Sequence, residues 1–127
     1  MVNVIKHPLI THKLTQMRKA ETGTKDFRQN IDEIAGLMAY DISGDLPLKP
    51  VRVTTAVAPC DTYELAKPII LVPILRAGLG MVNGICTLIP TAKVAHIGLY
   101  RDEQTLQPHT YFEKYPKNIK EATVIIV

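Results

Sequence analysis

Tryptophan is absent from the 127-residue chain, and phenylalanine and cysteine occur only twice each. With no Trp and almost no Phe, a core has to be assembled from Ile, Val, Leu and Ala, the palette of α/β proteins. Cys60 and Cys86 are isolated, with no C-x-x-C pair and no secretory leader upstream, so neither a disulfide framework nor a zinc site is expected, and a reduced cytoplasmic setting is. No apolar run approaches the roughly 20 residues that span a bilayer, so no membrane partner is expected. The net charge of +3 is too small to imply a nucleic-acid partner. Neither G-x-x-x-x-G-K-[ST] nor G-x-G-x-x-G is present, which leaves a P-loop ATPase and dinucleotide binding unsupported. Internal repeats and low-complexity tracts are missing too.

What is present is a chain with 46% hydrophobic residues, enough for one domain or most of one. It divides into a helical arm, residues 1–48, and a sheet core with a flap, residues 49–127. Residues 1–30 carry six basic and two acidic side chains, a bias that reads either as a solvated helical face or as a site for an anionic effector or RNA. Thr11 is placed to cap a short helix bearing Leu14 and Met17 and closed by Gly23. Thr24 is the expected cap of a second helix, with Asp26 in its first turn and Phe27, Ile31, Ile34 and Met38 at helical spacing, ended by Gly44 and Pro47.

Residues 51–57 partly alternate and are β-branched, which predicts an exposed or antiparallel strand closed by Pro59. Residues 69–75, 94–100 and 123–127 are near-continuous apolar runs, the pattern of parallel strands buried on both faces. Leu79, Val82, Ile85, Cys86 and Ile89 form a helical stripe stopped by Pro90, so the first two runs and this helix make a β-α-β unit. Pro73 removes a ladder donor and predicts an irregular first strand. His109–Lys114 is expected to be a short strand of a protruding flap.

In open α/β sheets ligands settle beyond the carboxyl ends of the strands. Arg76 follows the first buried run and Arg101 the second, so a parallel sheet brings both to one edge. Gly78 and Gly80 permit a sharp turn, and the helix starting near Leu79 would direct free N–H groups to the same place. Two guanidinium forks there suit phosphate oxygens; a surface role for each arginine is the plainer alternative. Asp102 and Glu103 could bind magnesium at the strand end, or could form a solvated loop or an ion pair with Arg101. His96 reads as a core histidine, and His7, His12 and His109 are scattered.

The blocks K-H-P-L-I-T-H-K-L-T-Q-M-R, T-K-D-F-R, V-P-I-L-R-A-G-L-G-M and G-L-Y-R-D-E-x-T-L-x-P, with the later Y-F-x-K, resemble uracil phosphoribosyltransferases from about Lys6 to Val127. The resemblance implies a type I phosphoribosyltransferase fold: a parallel sheet with flanking helices, an amino-terminal helical arm and a β flap. It implies pyrimidine salvage, the transfer of the phosphoribosyl group of 5-phosphoribosyl 1-diphosphate (PRPP) to uracil, giving UMP and diphosphate with Mg2+ assisting. Arg76, Ala77 and Gly78 would then form the diphosphate-binding loop and Arg101 would contact the same diphosphate. A cis non-proline peptide within Leu75, Arg76 and Ala77 is implied, as are a homodimer or higher homo-oligomer and a possible GTP effector.

In the family, the strand matching Thr123–Val127 leads into D-P-x-x-A-T-G-G-S, which cradles the ribose 5-phosphate, and then into a hood that recognises uracil. The expectation is therefore an incomplete copy of a longer protein, its carboxyl-terminal part missing, and residues 1–127 alone inactive. Two other readings remain: a non-catalytic nucleotide-sensing or RNA-binding regulator on the same fold, and a scaffold piece that assembles with a complementary one.

Overall fold

Pro8 opens the first helix. A proline at the first helical position has its φ preset and loses no needed donor, and in the computed structural model, which describes residues 2–127, helix α1 runs Pro8–Arg18. Its cap is His7, whose Nδ1 accepts the Leu9 N–H at 3.2 Å. Thr11 lies inside the first turn instead, donating its N–H to His7 O. Helix α2, Thr24–Ile42, is capped by extended Gly23, so Thr24 is its first residue and not its cap. Lys13 and Glu33 form an ion pair that ties α1 to α2, and Gln29 Nε2 adds a 3.0 Å bond to Glu33.

Strand β1, Leu48–Thr54, starts earlier than residue 51 and turns back through β2, Pro59–Leu65, as an antiparallel hairpin. Pro59 thus begins a second strand. The turn is held by Thr55 Oγ1, which accepts the Val57 and Ala58 N–H groups at 3.2 and 3.1 Å. Cross-strand pairs Arg52–Asp61 and Lys49–Glu64 (3.1 and 2.9 Å) sit on the two faces of a ribbon that is exposed on both. Such mixed faces are why β2 carries no apolar alternation.

The core is a three-stranded parallel sheet in the order β5-β3-β8, from Lys93–Val94, Ile69–Val72 and Thr123–Ile126. Every residue of β3 is buried. Ile69 and Leu71 pack on Ala35 and Ala39 of α2 and on Ile85 of helix α3, Leu79–Leu88. Ile70 and Val72 pack on Ala95, Ile97, Ile119 and Ala122 on the other side. Gly84 lets α2 and α3 close up: a Cβ there would overlap Asp32 O and lie 3.0 Å from Gly36 N.

Pro73 interrupts the run 69–75 as expected, and the interruption changes sheets. After it, β4 (Ile74–Leu75) joins a second sheet, pairing parallel with β6 (His96–Arg101), which pairs antiparallel with β7 (Pro108–Lys114). The second apolar run divides at the same level, where the Ala95 N–H bonds Leu71 O at 2.9 Å. The expected flap strand is β7. Among the described residues no helix is long and apolar enough to cross a membrane.

Candidate functional site

The chain leaves β4 through Arg76 and Ala77, both exposed, and enters α3 through buried Gly78. The Leu75–Arg76 peptide is cis, inside the three residues to which the resemblance assigns it. Gly78 has no room for a side chain, because a Cβ would overlap Val127 O and lie 2.8 Å from Ile74 N. Its N–H is donated to Ile74 O at 2.9 Å, and Ile74 N–H bonds Val127 O at 2.7 Å. The base of the loop is therefore clamped between β4 and the end of β8.

The first N–H groups of α3 are not the free ones that the sequence suggests. Leu79, Gly80 and Met81 donate to Arg76 O, Ala77 O and Gly78 O in tight i→i−3 bonds, one of the ways a helix start satisfies its orphan donors. The unspent donors lie just before: among the described residues Arg76 N–H and Ala77 N–H bond no backbone acceptor. Neither Arg76 nor Arg101 enters an ion pair among the described residues.

Arg101 ends β6 and is exposed. Leu75 lies opposite Gly98 in a parallel register, so both arginines leave the sheet at its carboxyl edge. Arg76 lies one residue beyond β4 and Arg101 is the last residue of β6, so two long, exposed side chains start from the same edge.

Beyond Arg101 the flap turn is built by Asp102. Its Oδ1 accepts the Thr105 N–H at 2.7 Å, the Thr105 hydroxyl at 3.0 Å and the Gln104 N–H at 3.0 Å. Those donors, the Thr105 backbone first, hold the Asp102 carboxyl below the usual carboxylate range. Asp102 is thus a turn clamp, not an ion-pair partner of Arg101. His96 is half-buried beside Phe112, Lys114 and Tyr115, at the root of the flap rather than in the core. Among the described residues no three His, Cys, Asp or Glu side chains converge as a cation site.

The model of the family described as "Uracil phosphoribosyltransferase" matches residues 4–127. The chain belongs to the uracil phosphoribosyltransferase family. It is 59% identical over 123 residues to the uracil phosphoribosyltransferase of Mycoplasma mycoides subsp. mycoides SC, covering 97% of this chain and 59% of that protein. It is 57% identical over 125 residues to that of Lactobacillus gasseri, covering 98% and 60%. The solved structure of the AQ2163 protein from Aquifex aeolicus superposes with a TM-score of 0.90 at 33% identity, covering all of this chain and 61% of that one. The chain thus spans about three fifths of the length of each of these proteins.

Proposed function

We propose that this chain supplies the diphosphate-handling part of a uracil phosphoribosyltransferase of pyrimidine salvage, acting on PRPP and uracil. In that reaction the uracil N1–ribose C1′ bond forms, the bond from C1′ to the diphosphate oxygen breaks, and the N1 proton leaves. Arg76, Ala77, Gly78 and Arg101 form the diphosphate subsite. The arginines and the Arg76 and Ala77 N–H groups meet charge that grows on the departing diphosphate, a contribution that is electrostatic and not nucleophilic. Gly78 serves by letting the loop lie against Val127. The supporting observation is the position, at the carboxyl edge of the parallel β4–β6 pair, of two arginines and two N–H donors that have no ion-pair or backbone partner among the described residues.

Asp102 Oδ1 is already engaged by three donors, and among the described residues no three His, Cys, Asp or Glu side chains converge as a cation site. Mg2+ belongs to this reading as a companion of the diphosphate oxygens, arriving with the substrate. Homo-oligomer formation belongs to it as well, supported by Leu48, Tyr63 and Leu65 exposed on the β1–β2 ribbon. A GTP response rests on the family likeness alone. No observation favours the alternative of a non-catalytic regulator.

The test is UMP formation from labelled uracil and PRPP by a chimera that joins residues 1–127 to the complementary carboxyl-terminal part of the L. gasseri relative. Charged hydrogen bonds are each worth about 1.5–3 kcal/mol, so Arg76→Ala should raise the KM for PRPP roughly ten- to a hundredfold and leave the uracil KM nearly unchanged. Equal losses for both substrates would refute the assignment.

A further inference from the structure

Only part of β6 is held from both sides. β4 ends at Leu75, opposite Gly98, so Leu99, Tyr100 and Arg101 are supported by β7 alone. That support is weak by its own pattern. Every residue of β7 is exposed, and a strand with no buried face specifies its register poorly. The last pair, Arg101 with Pro108, lacks a proline donor.

The flap is fixed at its tip by the Asp102 turn and along its strands by one ring. The ladder runs Gly98 to Phe112 and then Leu99 to Thr110, with an irregularity between Gly98 and Leu99, so Tyr111 is an extra residue with no partner opposite. Bulges re-aim side chains, and here the Tyr111 ring lies flat over Gly98: a Cβ on Gly98 would sit 2.5 Å from Tyr111 Cζ. An aromatic ring covering a cross-strand glycine pins the register. Tyr100 extends the lock, its ring stacked on His109 at 5.4 Å and tilted toward Tyr111 at 6.4 Å.

We propose that Tyr111 is a positioning residue for the diphosphate subsite: its ring, seated on Gly98, holds the β6–β7 register that places Arg101 at the edge beside Arg76. The ligand part of this inference rests on the reading given under Proposed function. The Tyr111 hydroxyl makes no hydrogen bond to a protein group among the described residues, so the ring itself carries the effect.

The test compares the 127-residue chain with its Tyr111→Phe, Tyr111→Ala, Gly98→Ala and Arg101→Ala variants. Without ligand, amide exchange at Leu99–Asp102 should quicken roughly tenfold in Tyr111→Ala and Gly98→Ala while β3 and β8 remain protected, and Tyr111→Phe should match the parent. Should Tyr111→Ala not fold, Gly98→Ala carries the test, because it displaces the same ring. Unchanged exchange at Leu99–Asp102 in both variants overturns the inference. With inorganic pyrophosphate as probe, Tyr111→Ala should weaken calorimetric affinity at least about fivefold and Tyr111→Phe should restore it. If Arg101→Ala weakens binding and Tyr111→Ala does not, the inference is overturned. If the parent binds no pyrophosphate, or Arg101→Ala has no effect, the diphosphate reading fails and exchange alone decides the role of Tyr111.

Discussion

Single residues set the loop before any ligand chemistry begins. Gly78 is required because backbone atoms of Ile74 and Val127 occupy the space of a side chain, and backbone cannot swing aside as a flexible side chain does. Gly78→Ala should therefore cost about 1–3 kcal/mol in urea unfolding, the range for overpacking a close contact. Glu33 tests the arm. The Lys13 ammonium, and secondarily Gln29, hold its carboxyl below the ordinary value of 4.5. A carboxylate whose folded value is depressed stabilises the fold above its unfolded value and loses that contribution as pH falls through the lowered one. At neutral pH, Glu33→Gln should thus reduce amide protection of α1, and the difference from the parent should vanish in acid below the lowered value. With the Glu33 side chain 37% exposed, the pair is worth at most about 1 kcal/mol.

At the scale of elements, the sequence is most readable where burial is greatest. The run 69–75 announces a parallel strand because both faces of β3 are buried and its hydrophobicity has no other use, and the runs 94–100 and 123–127 are legible through the fewer residues they bury or half-bury, such as Ala95, Ile97 and Ile125. The stripe Leu79–Ile89 and the face Ile31–Ile34–Met38 give α3 and α2 for the same reason. The β2 strand is illegible, since Pro59–Leu65 is exposed throughout and is ordered by its hairpin and two ion pairs. Caps slipped by a residue or more because Pro8 starts α1 early and leaves the capping to His7, and because Gly23 takes the place expected of Thr24. In the site, Arg76 and Arg101 follow from their places after apolar runs. The spent donors at the start of α3 and the ring of Tyr111 over Gly98 do not, because both depend on contacts between segments that no local pattern encodes.

For the whole molecule the two faces of the core sheet are unequal. Helices α2 and α3 cover one, whereas the other has only the turn Ile119–Glu121 and neighbouring residues. Val124 and Ile126 of β8, level with Ile70 and Val72 in the register, are left 40% and 66% exposed. A parallel sheet ordinarily buries both faces, so this strip should bind an apolar dye such as ANS, and the double change Val124→Ser with Ile126→Ser should lower that fluorescence by roughly half or more. Pro73 adds a consequence of another kind. By handing one covalent run from the core sheet to the flap sheet, it makes the two sheets share a backbone, and Val127, whose N–H bonds Val72 O while its own O accepts the Ile74 N–H, bridges them a second time. Adjusting the packing of Ile69–Val72 and altering the loop of Arg76 and Ala77 are, on this architecture, a single engineering problem.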